Sequence, residues 1–389
     1  MKFVLAPDSF KESLSAAQAV QAMRTGVLSV IPDAECVGVP MADGGEGTVD
    51  AIVDALGGRR NFVDVQDPLG RAVTASYGYV PHRRLAVIES AAAAGIELVA
   101  PRERDVLRSS TFGVGQLITS ALDAGATEIL VGLGGSATND GGTGMLTALG
   151  ARFVDVDGRC VAPGGAALQR LHRIELSSLD RRLRDVRVRL ACDVTAPLLG
   201  AGGASAVFGP QKGATAADVR TLESALTELV AATSTALGRA WPERPGAGAA
   251  GGLGFALLEY LSAEMQPGVS IVAETVGLEE HLRDADWVLT GEGSVDAQTA
   301  LGKTPFGVAQ LALANNTPAV IFAGRVSPDA SVMLDHGVHE IIAITPPGTP
   351  LQQALRKSAS ALTDSTAELC RRILRDGTVT IASTPACSG

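Results

Sequence analysis

Residues 132–144 read Gly132-Leu133-Gly134-Gly135-Ser136-Ala137-Thr138-Asn139-Asp140-Gly141-Gly142-Thr143-Gly144 and follow the apolar run Glu128-Ile129-Leu130-Val131. The glycines leave backbone N–H groups uncovered, and the Ser, Thr, Asn and Asp set small polar groups among them, as in a loop that closes over phosphates. Gly132-x-Gly134-x-x-Ala137 after a strand also approximates the dinucleotide fingerprint, with a second apolar strand over 151–156 running to Asp155 and Asp157. That alternative is an NAD-dependent dehydrogenase of a small hydroxy acid. It fits poorly, because Asn139-Asp140-Gly141-Gly142 falls where the fingerprint's helix must already run, and these residues are poor helix formers.

Working outward, the chain alternates β and α, which predicts an α/β fold with a parallel sheet. Strands are expected at 3–6 and 35–40, with a helix over 13–29 between them and another over 49–56 stopped by Gly57-Gly58. From 61 to 91 the apolar period becomes two, the pattern of antiparallel strands. A second α/β series follows: helix 111–124, strands 128–133, 152–156 and 186–192, and helices 215–237 and 255–262. Gly246-x-Gly248-x-x-Gly251 is a literal fingerprint, but Trp241-Pro242-Glu243-Arg244-Pro245 before it cannot be a central strand, so it is read as close backbone packing. The first style returns with strands at 286–289, 319–322 and 340–344 and helices at 305–314 and 351–374; 376–389 is a late strand near 378–381 or a loose tail. The expected organisation is a discontinuous Rossmann- or flavodoxin-like parallel-sheet domain, 1–69 plus 285–389, with an inserted mixed-sheet α/β domain, 70–284.

A net charge of -10 argues against nucleic acid and anionic membranes as partners, since both need a basic face. No apolar run approaches the roughly 20 residues needed to span a bilayer. The start of the chain lacks the apolar core of a signal peptide, and five cysteines without a C-x-x-C pair suit reduced thiols. A cytoplasmic protein is expected.

Six polar loops come straight after apolar strands: those at Asp8, at Asp43, the opening stretch, and those at Asp193, Glu292 and Arg325. Ligands of parallel sheets bind beyond the carboxyl ends of strands, so the loops are expected to converge on one crevice. They carry Asp8, Asp43, Glu46, Asp140, Asp193, Glu292 and Asp296 for metal or proton handling, and the chain offers Lys11, Lys212, Lys303 and Arg325 for anions. Carboxylates, glycine loops and a few cations suit magnesium-assisted phosphoryl transfer, with a carboxylate serving a hydroxyl nucleophile because no histidine falls in the loops. Asp8, Asp43 and Asp296 are equally the residue type that caps helices. Gly302-Lys303-Thr304 resembles the end of a P-loop, but Ala297 stands where its first glycine is required.

Five segments, 6–14 (APDSFKESL), 41–48 (MADGGEGT), 134–142 (GGSATNDGG), 208–213 (FGPQKG) and 290–296 (TGEGSVD), together resemble the bacterial type I glycerate kinases, over residues 1 to about 375. The resemblance implies two α/β domains, one discontinuous, with the active site in the cleft, and ATP- and magnesium-dependent phosphorylation of D-glycerate, with 2-phosphoglycerate the usual product. A monomer or homodimer is expected. By position in the matched motifs, Asp193 or Asp296 is the base, and Lys11 is catalytic. Asp8, Ser9, Lys11 and Arg325 bind substrate; Gly134, Gly135, Ser136, Thr138, Asn139 and Lys212 bind nucleotide; Asp43 and Glu292 hold Mg2+.

Overall fold

The computed structural model of the protein describes residues 1–297 and 299–376. The chain opens with strand β1 (Lys2–Leu5), helix α1 (Ala16–Val30) and strand β2 (Glu35–Gly38). Helix α1 begins where Ser15 and Gln18 form a reciprocal capping box, and it buries the face carrying Ala19, Met23 and Val27.

Next come α2 (Thr48–Leu56), β3 (Arg59–Gln66), β4 (Ala72–Val80), β5 (Leu85–Glu89), α3 (Ala91–Ala94), α4 (Phe112–Asp123) and β6 (Glu128–Gly132). They are followed by α5 (Thr143–Ala148), β7 (Arg152–Val154), β8 (Arg173–Glu175), β9 (Arg187–Ala191), α6 (Ala204–Phe208), α7 (Ala216–Leu237), α8 (Leu253–Tyr260) and β10 (Glu264–Gln266). The remainder is α9 (Gly268–Val276), α10 (Leu278–Leu282), β11 (Trp287–Val295), α11 (Thr304–Ala314), β12 (Ala319–Val326), β13 (Val338–Ala343) and α12 (Leu351–Asp376). No described helix is long and apolar enough to cross a membrane.

Residue contacts divide the chain into one unit of Met1–Asp43 with the described residues from Val269 onward, and a second of Gly44–Gly268. The joins expected from sequence, near residues 70 and 285, stand away from these, because β3 and β4 form an antiparallel hairpin that pairs onto β5 and carries residues 44–69 into the second sheet.

The first unit has a five-stranded, all-parallel sheet in the order β13-β12-β11-β1-β2. Its core gathers Phe3, Leu5, Met23, Trp287, Leu289, Phe322, Leu362 and Leu369; each fully buried side chain of this kind contributes about 1.5–3 kcal/mol. Strand β11 runs on through Gly291-Glu292-Gly293 and β12 through Gly324-Arg325, segments expected to be loops. Polar residues continue these strands because the ladder holds them from Val288↔Ala319 to Val295↔Val326. Gly291 is needed there, since a Cβ would lie 2.2 Å from the Phe322 carbonyl oxygen.

The second unit has a six-stranded mixed sheet, β10-β9-β6-β5-β4-β3, parallel from β10 to β5 and antiparallel beyond. Strand β7, the supposed second strand of a dinucleotide fold, pairs with β8 in a two-stranded ribbon separate from the six-stranded sheet. The helix after the opening stretch is six residues long. Both features remove the dehydrogenase topology. The expected late strand over 378–381 lies outside the described residues.

Candidate active-site residues

In the first unit the chain leaves β1 toward β2 on one side, while β11, β12 and β13 step away on the other. The carboxyl ends of β1 and β11 therefore flank a topological switch point, where open α/β sheets bind ligands. Asp8 follows β1 and donates its N–H to Gly291 O at 2.9 Å. Its Oδ2 accepts from Thr304 Oγ1 at 2.6 Å and its Oδ1 from the N–H of Ser9 at 2.6 Å. Glu292 on β11 accepts from Thr299 Oγ1 at 3.0 Å. Burial pushes the Asp8 carboxyl up to about 6, with Asp43 adding repulsion against the hydrogen bonds from Thr304 and Ser9. Burial likewise pushes Glu292 up to about 7, with Asp8 and Asp43 adding to it, while Lys303 and Thr299 pull it down. Asp43 thus adds to the rise of both Asp8 and Glu292 at the switch point.

The other expected residues of this unit differ. Asp296 accepts the N–H of Thr299 at 3.1 Å and faces Lys303 Nζ at 3.9 Å, so it caps the 3₁₀ turn Thr299–Leu301. Lys11 is exposed beside Glu12, which has φ 64°, and Arg325 is exposed on β12 opposite Ser294. Neither cation has a hydrogen-bond or ion-pair partner among the described residues. Thr299 and Thr304, fully buried hydroxyls that orient Glu292 and Asp8, were not singled out as site residues. For Thr304 the available sign is the Gly302-Lys303-Thr304 sequence, which lacks the rest of a P-loop; Thr299 has none.

In the second unit the opening stretch splits into two parts. Gly134 and Gly135 are exposed, whereas Ser136 through Asp140 are buried. Asp140 accepts four donors: Thr111 N at 2.8 Å, Thr111 Oγ1 at 2.9 Å, Gly142 N at 3.0 Å and Gly144 N at 3.1 Å. Burial pushes its carboxyl up, and the Thr111 and glycine donors oppose the rise. It closes the first turn of α5, the work of a cap. Asn139, expected to meet nucleotide, donates to Ser205 Oγ at 3.0 Å and is fully buried, as is Thr138. Lys212, also expected to meet nucleotide, is 2% exposed and donates to Ser136 Oγ at 2.9 Å and Thr138 O at 2.7 Å. The Gly246–Gly254 segment packs on this knot as expected: Gly141 N donates to Gly251 O at 3.0 Å, and a Cβ on Gly251 would sit 2.0 Å from Thr138 O.

Asp193, past β9, is exposed, and its Oδ1 accepts the N–H of Gly268, the first residue of α9, at 2.9 Å. The loop at Gly44 packs against Gly132, where a Cβ would lie 2.3 Å from Gly44 O. Sequence reading passed over one further strand-end loop, Glu89-Ser90. Glu89 accepts the N–H of Val49 in the first turn of α2 at 2.9 Å, and Ser90 Oγ is buried with no hydrogen-bond partner among the described residues. The unbroken buried run Leu85-Ala86-Val87-Ile88, typical of a parallel strand, was the available sign. A groove of about 690 Å³ lies at the amino ends of β9 and β10, lined by Asp180, Arg187 and Glu264, and carries none of the expected site residues.

The sequence model of the glycerate kinase family matches residues 3–374. The chain belongs to the glycerate kinase family. Its members are enzymes, and the dehydrogenase reading is set aside. Among relatives, a glycerate kinase of Bacillus subtilis (strain 168) is 48% identical over 92% of this chain and 94% of its own length. A glycerate 2-kinase of Escherichia coli (strain K12) is 46% identical over 92% and 93%. A crystal structure from Salmonella typhimurium LT2, of a chain assigned as a glycerate kinase 2, superposes with a TM-score of 0.90 at 44% identity, over 97% of this chain and 99% of that one.

Proposed function

We propose that the protein transfers the γ-phosphoryl group of ATP to the 2-hydroxyl of D-glycerate with the help of Mg2+, in the cytoplasm. The observation that carries the reading is that Asp8, hydrogen-bonded to Thr304 and Ser9, and Glu292, hydrogen-bonded to Thr299, are carboxylates raised chiefly by burial at the switch point of a chain from the glycerate kinase family. The 2-hydroxyl is favoured by the name of the Escherichia coli relative, a glycerate 2-kinase 46% identical to this chain.

Hard oxygen ligands with surplus negative charge suit magnesium. Among the described residues no three carboxylates form a ready metal cage, so Asp43 and Glu292 would hold the ion together with nucleotide phosphates, its usual mode. Bound there, the ion neutralises charge on the transferring phosphoryl group. Asp8 and Ser9 orient glycerate. Lys11 and Arg325, cations without a partner among the described residues, take its carboxylate or the phosphoryl oxygens. The exposed Gly134-Gly135 turn offers backbone N–H groups to the nucleotide. Asp193 is the base for the attacking hydroxyl, oriented by Gly268 N; Asp296, committed to Thr299 and Lys303, is the lesser candidate. Removing such a base costs roughly 10²–10⁴ in rate.

The test is to incubate protein, ATP, Mg2+ and D-glycerate and to couple the product to enolase without phosphoglycerate mutase. Immediate phosphoenolpyruvate formation supports the reading. Product that enolase accepts only after mutase is added moves the site to the 3-hydroxyl, and absence of ADP formation removes the kinase reading.

A further inference from the structure

We infer that Lys212 is a positioning residue that holds the Gly134-Gly135 turn in its nucleotide-binding shape from beneath, rather than a ligand of the phosphates. The inference rests on the reading that this turn binds ATP.

Lys212 ends the 3₁₀ turn Pro210–Lys212, which carries it under the glycine stretch. The residue is 2% exposed, and two of the three N–H groups of its ammonium are spent on Ser136 Oγ and Thr138 O, just past the exposed glycines. The charge facing it is Asp140, which the four donors already hold in place. The other flank of the turn is fixed by backbone: Ile96 N donates to Gly135 O at 2.8 Å and Ala137 N to Ala94 O at 2.8 Å. Gly134 and Gly135 therefore project between two anchors, one of main chain and one of Lys212. A phosphate ligand must present its ammonium outward, and reaching Lys212 would require opening both of its hydrogen bonds.

The tether has an energetic reason. Ordering the backbone of one residue costs about 1–2 kcal/mol, most for glycine, and a turn ordered before ATP arrives spares binding that cost. Removing the tether should therefore weaken ATP by roughly tenfold, about 1.4 kcal/mol.

The experiment measures ATP Kd by equilibrium titration without glycerate, and amide hydrogen exchange over residues 134–138 in the ligand-free protein, for wild type, Lys212→Met, Ser136→Ala and the double variant. A positioning role predicts faster exchange in every variant, weaker ATP in Lys212→Met and Ser136→Ala, and a double variant no worse than Lys212→Met. It also predicts kcat at saturating ATP close to wild type. A direct ligand predicts lost affinity in Lys212→Met with exchange unchanged and Ser136→Ala additive, which overturns the inference. Should Lys212→Met fail to fold, Ser136→Ala with unchanged exchange and affinity overturns it equally. A wild type without affinity for ATP sinks the nucleotide reading and the inference together.

Discussion

Asp140 and Glu292 are both carboxylates whose pKa burial raises, but their surroundings are opposite. Asp140 collects four donors from Thr111, Gly142 and Gly144. Glu292 has one hydroxyl donor, Thr299, with the Lys303 charge and two carboxylates for company. The first is saturated and serves the fold; the second accepts a single side-chain hydrogen bond and has like charges beside it. Perturbed acidity marks both. The count of donors separates them.

Substitutions can break that contrast. The largest expected effect is on turnover: Asp8→Asn and Glu292→Gln should each lower kcat/KM by roughly 10²–10⁴ while the protein stays folded. Steady-state kinetics with a thermal melt checks this, and near-normal turnover in both would remove the switch point from the mechanism. Next is Asp140→Asn, which turns an amide group toward backbone N–H donors in a fully buried site. It should destabilise the fold by about 3–5 kcal/mol, as breaking a buried charged network does. A denaturant midpoint near wild type would contradict the saturated reading.

The third effect is on pH. Burial raises the Glu292 carboxyl to about 7 in the folded protein against an ordinary 4.5, so the folded state holds its proton more tightly. Stability from this group is fully present below about 4.5 and is lost as pH rises through 7. Glu292→Gln should therefore raise stability by about 1–3 kcal/mol at pH 8 and by little at pH 5; melts at the two pH values decide it, and equal shifts at both count against it. With Mg2+ held by Glu292 as proposed, protons and the ion would compete for this carboxylate, and the acid limb of the rate profile should move to lower pH as Mg2+ rises. The smallest effect belongs to Asp296→Asn, which loses a local cap worth about 1 kcal/mol and should change turnover less than tenfold; a larger loss of rate would make it, and not Asp193, the base.

Much of this was legible before any coordinates. Alternating strand and helix patterns announced the α/β fold, and the polar strand-end loops named Asp8, Asp43, Asp193 and Glu292. What misled were places where local signals and long-range pairing disagree. Gly291-Glu292-Gly293 reads as loop because glycine and glutamate are poor strand formers, yet the β12 ladder keeps it extended. Residues 61–66 read as strand, but nothing local says that they and the preceding helix belong to the second unit. Thr138 and Asn139 look like ligands in a glycine loop, and only the packing of Gly251 and Ser205 on them accounts for their burial.

The sequence by itself determined the family, the α/β alternation and the residue types that phosphoryl transfer requires, because these are written in short, ordered motifs. Only the tertiary structure decided which acidic groups are satisfied and which are left wanting. Asp8 meets Thr304 across 296 residues of chain, and Lys212 meets Thr138 across 74. Hydrogen bonds and burial are set by neighbours in space, and no spacing within a motif carries that information.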